Sequence, residues 1–351
     1  MKPIAVGCCA FAGGFTWGLR EAGIETIAQL EFPDNGVKPH LKTARANFDH
    51  PIYSRGPQFW PIEELAFMEP DIVYAQPPCA PWSPAGYGPT RGTNKHDSDP
   101  RVAWTKAAFT LIEKLDPKIF VYESVQPTFK KTRESFLDPV ALDCNLNGMS
   151  CYHILLNGAF VGVPHNRKRY FFVASKFEIP WIAPAAIAPP TALETLESVP
   201  FDISDVPHWP RPIDQRTWEH DISFVNPGET LLSAWKRLNP PETWTDNGRG
   251  QVSGRPAFGS YRLHPDKSPR TFFGSYTILH PTKERPLTFR EMKAIAGYPP
   301  EFVMTGSYNS GMVQMGQAVL PPVGKWIGGQ MMRGLIQREQ ALGNTTVLHY
   351  Q

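Results

Sequence analysis

The chain has 351 residues, enough for one large domain or two with an ample core. Charged residues at 19% and hydrophobic ones at 41% exclude a disordered chain, and a formal net charge of +2 excludes a uniformly basic surface while leaving room for a local basic face. Five cysteines, an odd number with no C-x-x-C pair, argue against a disulfide framework and a structural zinc site, so no metal and a reducing cytoplasm are expected. The N-terminus MKPIAVGCC enters a strand at once. A strand is expected from Ile4 to Cys9, a turn at Gly13 and Gly14, a helix from Thr16 to Ala22 and a second strand from Ile24 to Leu30, which is a βαβ start. Helices around Pro39 to Asn47 and Ile62 to Phe67 follow, then a strand from Asp71 to Ala75, a helix from Arg101 to Leu115 and a strand from Lys118 to Tyr122. Strands alternating with helices imply a parallel sheet covered on both faces. Two more apolar runs, Tyr152 to Leu156 and Tyr170 to Ala174, flank NGAFVGVPHNRKR as an antiparallel pair would. After Ser175 the texture turns proline-rich and loses its period until helical signal returns at Leu287 to Ala296 and from Pro322 to about Glu339. No uninterrupted run approaches the roughly 20 apolar residues of a membrane span.

The chemistry-bearing residues gather at strand ends. DIVYAQPPCAPWS stops a strand with Pro77 and Pro78, since proline lacks the N–H a ladder needs, and leaves Cys79 just past the carboxyl end, where ligands bind in open α/β sheets. Cys79 there is either a small packed hydrophobe or a nucleophile. Glu31 ends the second strand about seventeen residues past the glycine turn, where an acidic residue commonly accepts from ribose hydroxyls; otherwise it is a solvated carboxylate. Glu123 follows the strand KIFVY and falls at the same rim as Cys79, as an acid partner or as a helix cap. Arg167, Lys168 and Arg169 precede the strand YFFVA, and alternation sends the two arginines to one face, able to bind a phosphate or a base carbonyl unless they are merely solvated.

Six stretches in a fixed order resemble the DNA (cytosine-5) methyltransferase family. GCCAFAGGFTWGLREAG resembles its first cofactor motif, PPCAPWS its Pro-Cys loop, ESV at Glu123 its Glu-Asn-Val motif and VPHNRKRYFFVA its Gln-x-Arg-x-Arg hairpin. RPLTFREMKAIAGYPPEF is similar to the late helix motif and MGQAVLPPVGKWIG to the closing Gly-Asn-Ala-Val-Pro-Pro motif, so the likeness covers Ile4 to about Ser175 and Arg262 to Gly328. The resemblance implies a Rossmann-like α/β fold, with a mixed and mostly parallel sheet, and a smaller irregular target-recognition domain. It places the catalytic and cofactor-binding domain at 1–175 plus 285–351, and target recognition at 176–284. It implies S-adenosylmethionine as donor, bound by Cys9, Ala10, Phe11, Gly13, Gly14, Glu31, Phe32, Pro78, Gln317 and Val319. It makes Cys79 the nucleophile toward cytosine carbon 6, Glu123 the group on the ring N3 edge, and Arg167 and Arg169 their support. The partner it implies is double-stranded DNA, with the target base flipped out and contacts from Ser83, Arg91, Arg249 and Arg255, and with the protein acting as a monomer.

The sequence departs from the family near the chemistry. Cys9 stands where phenylalanine is usual and Phe11 where glycine is usual. Ala80 replaces the glutamine after the nucleophile, Ser124 an asparagine, His165 a glutamine and Gln317 an asparagine. The first-motif changes either repack the pocket or admit a different sulfonium donor. An RNA cytosine-5 enzyme and a catalytically silent DNA-binding relative are the alternatives to a DNA enzyme; the retained Cys79, Glu123, Arg167 and Arg169 speak against silence.

Overall fold

The computed structural model describes residues 2–33, 39–82, 99–131, 148–185, 188–200, 261–269, 278–283, 285 and 287–343. Ser83, Arg91, Arg249 and Arg255 lie outside them.

The chain opens as β1 (Ile4–Cys8), α1 (Gly14–Glu21), β2 (Glu25–Glu31), α2 (Pro39–Asn47), β3 (Ile52–Ser54), α3 (Ile62–Phe67), β4 (Ile72–Ala75), α4 (Val102–Leu115) and β5 (Ile119–Val125). A short helix α5 (Gln126–Lys131) follows, then β6 (Ser150–Asn157) and β7 (Lys168–Ser175). These seven strands form one sheet in the order β3-β2-β1-β4-β5-β7-β6. The five strands β1 to β5 are mutually parallel, while β7 runs antiparallel to both β5 and β6. The central parallel strands are the most apolar and buried: all four residues of β4 are buried, as are the first six of β5. From β1 the chain winds out to β2 and β3 and then returns to add β4 on the other side. The order therefore reverses between β1 and β4, which opens a crevice at their carboxyl ends.

The last helix of the sequence completes this unit. α9 (Pro321–Ala341) packs along α1. Their backbones come close because the contact is made of glycines: a methyl at Gly18 would lie against the Pro321 carbonyl and 2.5 Å from the Lys325 nitrogen, and one at Gly324 would lie 2.9 Å from the Phe15 carbonyl. Gln330 of α9 acts as a strand would toward Ile182, accepting from its N–H at 2.9 Å and donating to its carbonyl at 3.2 Å.

The chain divides into two compact units, Met1–Val161 with Lys168–Ala186 and Ala318–Gln351, and Gly162–Arg167 with Ile187–Gln317. This division differs from the expected one. The segment before Ile187 belongs to the sheet unit, and 285–317, expected there, belongs to the second unit. The second unit contains α6 (Ala192–Glu197), the two-stranded parallel pair β8 (Tyr261–Arg262) and β9 (Ile278–Leu279), α7 (Phe289–Ile295) and α8 (Tyr308–Gln317). Its core is built from Leu196, Leu263, Ile278, Leu279, Leu287, Met292, Ile295 and Phe302. Both α6 and α7 begin with a reciprocal box, Thr191 with Glu194 and Thr288 with Glu291, that satisfies otherwise orphaned N–H groups. Glu291 also takes a two-pronged contact from Arg285, Nη1 to Oε2 at 2.7 Å and Nη2 to Oε1 at 2.8 Å, which holds its carboxyl below the usual range despite burial.

Candidate active site

The crevice is lined first by the loop between β1 and α1. Cys9 N–H donates to the Leu30 carbonyl at 2.7 Å and Gln76 N–H to the Cys8 carbonyl at 2.9 Å, so the end of β1 is gripped from both neighbouring strands. The loop then bends through three left-handed residues, Cys9 (φ 55°), Phe11 (φ 61°) and Gly13 (φ 90°). Gly13 is required twice over, by this φ and because a β-carbon would strike the Phe48 ring. Ala10 is buried in the same bend, and Gly14 is the first residue of α1. Cys9 faces Cys8 with sulfurs 3.9 Å apart; burial, then Cys8, then the Glu31 charge push its thiol up, so Cys9 is held as a thiol rather than a nucleophile.

Glu31, the last residue of β2, is only 1% exposed and accepts at Oε1 from Phe11 N–H at 3.0 Å. Phe32 follows it, half-buried, with its ring against Trp104 of α4 at a centroid separation of 3.4 Å and its carbonyl accepting from Ser54 Oγ at 2.5 Å. A buried carboxylate, an aromatic pair and a bent loop at a switch point suit a nucleoside: acceptors for hydroxyls on one side, flat apolar surface for a base on the other. The residues expected around an S-adenosylmethionine donor in this unit fit that group.

Cys79 lies four residues beyond β4, half-buried, in a turn closed by Trp82 N–H donating to the Cys79 carbonyl at 3.0 Å. Trp82 is completely buried and anchors that turn; Pro78 before it is half-buried. At the start of α4, Arg101 forks onto Asp99, Nε to Oδ1 at 2.9 Å and Nη2 to Oδ2 at 2.6 Å. That fork raises the guanidinium's pKa, and the charge of Cys79 adds a smaller contribution in the same direction.

Strand β5 pairs with β4 so that Tyr122 lies opposite Ala75, which puts Glu123 at the same rim as Cys79. Glu123 is 4% exposed and its Oε1 meets Arg169 Nε at 3.1 Å. The pairing follows from register: Glu123 opposes Phe171 and Val125 opposes Arg169, so carboxylate and guanidinium are diagonal neighbours on one face. Ser124, on the other face, exchanges a 2.8 Å hydrogen bond with Thr128 of α5.

Arg167 does not share that arrangement. It precedes β7, so strand alternation does not govern it; it belongs to the second unit, is 2% exposed, and donates from Nη2 to the Gly316 carbonyl at 2.7 Å. His165, equally buried, lies with Nδ1 3.0 Å from the Ile295 carbonyl; a carbonyl only accepts, so Nδ1 carries the proton. Gln317 ends α8, exposed, in the second unit, and Val319 is buried in the first. Among the described residues no group of three His, Cys, Asp or Glu side chains is placed to hold a metal ion, and no helix is long and apolar enough to cross a membrane. Trp104, Arg101 and His40 escape sequence reading because nothing local marks them, while Trp82 stands within the quoted PPCAPWS stretch without its full burial being legible there.

The profile of the C-5 cytosine-specific DNA methylase family matches residues 6–333. The chain belongs to this family. Methyl transfer to cytosine carbon 5 is the family's reaction, and in this chain the Cys79 loop, Glu123 and Arg169 lie at one sheet edge. The type II methyltransferase M.XorII of Xanthomonas oryzae is 24% identical over 99% of this chain and 90% of its own length. The type II methyltransferase M1.HphI of Haemophilus parahaemolyticus is 25% identical over 92% and 84%. Among solved structures, a candidate DNA modification methyltransferase from an E. coli prophage aligns over 95% of this chain and 99% of its own, with a TM-score of 0.72 at 18% identity. The methyltransferase EhMeth of Entamoeba histolytica aligns over 96% and 99% at a TM-score of 0.64 and 14% identity. These likenesses carry the Rossmann-like methyltransferase fold.

Proposed function

We propose that this protein methylates cytosine in double-stranded DNA with S-adenosylmethionine as donor, through a covalent bond between Cys79 and carbon 6 of a flipped-out base. The observation that carries the reading is the Glu123–Arg169 ion pair at the rim where β4 delivers Cys79. Carbon 5 of cytosine is a weak nucleophile, and thiolate addition at carbon 6 makes it an enamine. Cys79 Sγ forms that bond and later leaves when the carbon 5 proton is removed. Arg101, held by Asp99, is near enough for the charge of Cys79 to act on it. Glu123 holds or protonates the N3 edge so that charge does not accumulate on the ring, and Arg169 keeps its carboxylate aimed. The donor, when bound, supplies an electrophilic methyl group. Glu31 takes its ribose, and Phe32 with Trp104 its base. A paired base cannot reach these groups, so it leaves the stack at a cost of a few kcal/mol.

In this reading the part of 176–284 that belongs to the second unit carries target recognition, with Arg249 and Arg255 meeting phosphates and Ser83 and Arg91 contacting the DNA. The type II relatives favour a modification role paired with restriction, and the protein acts as a monomer in the cytoplasm. The test is mass spectrometry of nucleosides from duplex DNA and from RNA incubated with protein and isotopically labelled donor. Labelled 5-methyldeoxycytidine from DNA is expected, together with a denaturation-resistant adduct on 5-fluorocytosine DNA that Cys79→Ser abolishes. Label in RNA alone would reassign the substrate, and no label in either would end the reading.

A further inference from the structure

The first loop contains a side chain whose conformation the proposed chemistry does not require. Phe11 has φ 61°, a left-handed conformation that a residue with a β-carbon enters at a cost and that glycine enters freely. Two contacts hold it there. Its N–H donates to Glu31 Oε1 at 3.0 Å, and its ring stacks on His40 of α2, with centroids 4.4 Å apart and planes inclined by 17°. The first contact fixes an oxygen of the carboxylate; the second fixes the residue that fixes it. A glutamate side chain has three rotatable bonds, and one tied to a backbone N–H meets an incoming hydroxyl with that freedom already spent.

We propose that Phe11 and His40 are a positioning pair for Glu31, the imidazole holding Phe11 in its left-handed conformation so that the carboxylate is oriented in advance for the ribose of a nucleoside sulfonium donor. The inference rests on the donor reading of Glu31. It makes His40 a determinant of donor affinity without requiring it to touch the donor. It also explains how the loop tolerates phenylalanine where the family resemblance places glycine: α2 supplies the support that glycine does not need.

The test is a double-mutant cycle read by calorimetric titration of S-adenosylmethionine. His40→Ala is expected to weaken donor binding roughly tenfold, by loosening the charge-assisted bond to Glu31. His40→Phe, which restores a stacking ring, returns affinity to within about twofold of wild type. In the Phe11→Gly background, whose own affinity is the reference for this arm, adding His40→Ala brings no further loss, because glycine at that position needs no support. If His40→Ala binds as wild type does while Glu31→Ala loses the donor, the positioning pair is wrong and the donor site stands. If the loss persists in the Phe11→Gly background, His40 acts through the donor directly or through folding, and the inference is overturned. Wild-type protein that binds no donor, or a Glu31→Ala variant that binds normally, overturns the donor reading itself.

Discussion

Arg167 and Arg169 stand two residues apart, yet one is tied to the Gly316 carbonyl in the second unit and the other to the Glu123 carboxylate in the first. This predicts a separation of effects. Glu123→Gln keeps an oxygen for Arg169 but removes the charge, so single-turnover methylation is expected to fall roughly 10²–10⁴-fold while the melting temperature changes little. Arg167→Ala removes a buried guanidinium and its hydrogen bond to the part-buried Gly316 carbonyl and is expected to cost about 1–3 kcal/mol of stability. Its loss appears as a lower melting temperature in scanning calorimetry, with the rate at saturating substrate affected less. The reverse pattern would make Arg167 the contact to the reacting base and Glu123 a structural acid. The sequence shows Cys79 past a strand end, because proline is a local signal; it places Glu123 after the strand, whereas β5 runs on to Val125 because β7 pairs with it there. It shows both arginines but not their separate duties, because Lys168 starts β7 and the alternation that pairs them does not extend back to Arg167. Trp82, Trp104 and His40 reach their partners through the fold, and no spacing in the chain announces them.

At the scale of elements, the clearest mechanical joint is α1 against α9. Gly18 faces backbone atoms of Pro321 and Lys325, which cannot step aside as a side chain can. Gly18→Ala is expected to push the helices apart and destabilise the sheet unit by about 1–3 kcal/mol, despite alanine's better helix propensity. Urea denaturation monitored by fluorescence reads this directly, and a variant as stable as wild type would mean the helices do not pack as closely as described. The same scale shows why some elements are legible and others are not. β1, β4 and the first half of β5 are apolar runs between helices and stand out in the sequence, and β2 is recognised by its place after α1. β3 has three residues and β8 and β9 two each, too short for any period to show. α6 is short as well, yet Thr191 and Glu194 carry its start signal in plain view within a stretch whose prolines obscure it. α8 has little helical signal of its own, with Asn309, Ser310 and Gly311 near its start; a methyl at Gly311 would strike the Phe289 ring, so tertiary packing selects that glycine.

At the scale of the molecule, a half-buried and a fully buried histidine give the protein an acid-sensitive stability that its net charge of +2 does not suggest. His50 in the first unit is pushed down to about 4 by burial, with Asp49 opposing; its Nε2 lies 2.7 Å from Gln29 Oε1, and its ring lies beside Phe48. His280 in the second unit is also pushed down to about 4 by burial, partly offset by Glu291, and its Nδ1 accepts from the N–H groups of Thr282 at 3.1 Å and Lys283 at 3.0 Å, which a protonated ring cannot do. Both therefore fold neutral. In the unfolded chain a histidine takes its proton near pH 6.5, and between 6.5 and about 4 the unfolded state binds protons that the folded state refuses. Stability contributed by the neutral rings is complete above pH 6.5 and falls as the pH drops through that window, by at most about 1.4 kcal/mol per pH unit for each group. Below about 4 both states are protonated and this contribution is flat. The lowered carboxyl of Glu291 acts in the opposite region, since its contribution is present above the ordinary carboxylate value and is lost only as the pH falls below it. Unfolding free energies at pH 7, 6 and 5 should thus decline largely above the range in which carboxylates titrate. His50→Gln with His280→Gln should remove most of that decline at some cost in stability at pH 7. An undiminished decline in the double variant would place the acid sensitivity in other groups.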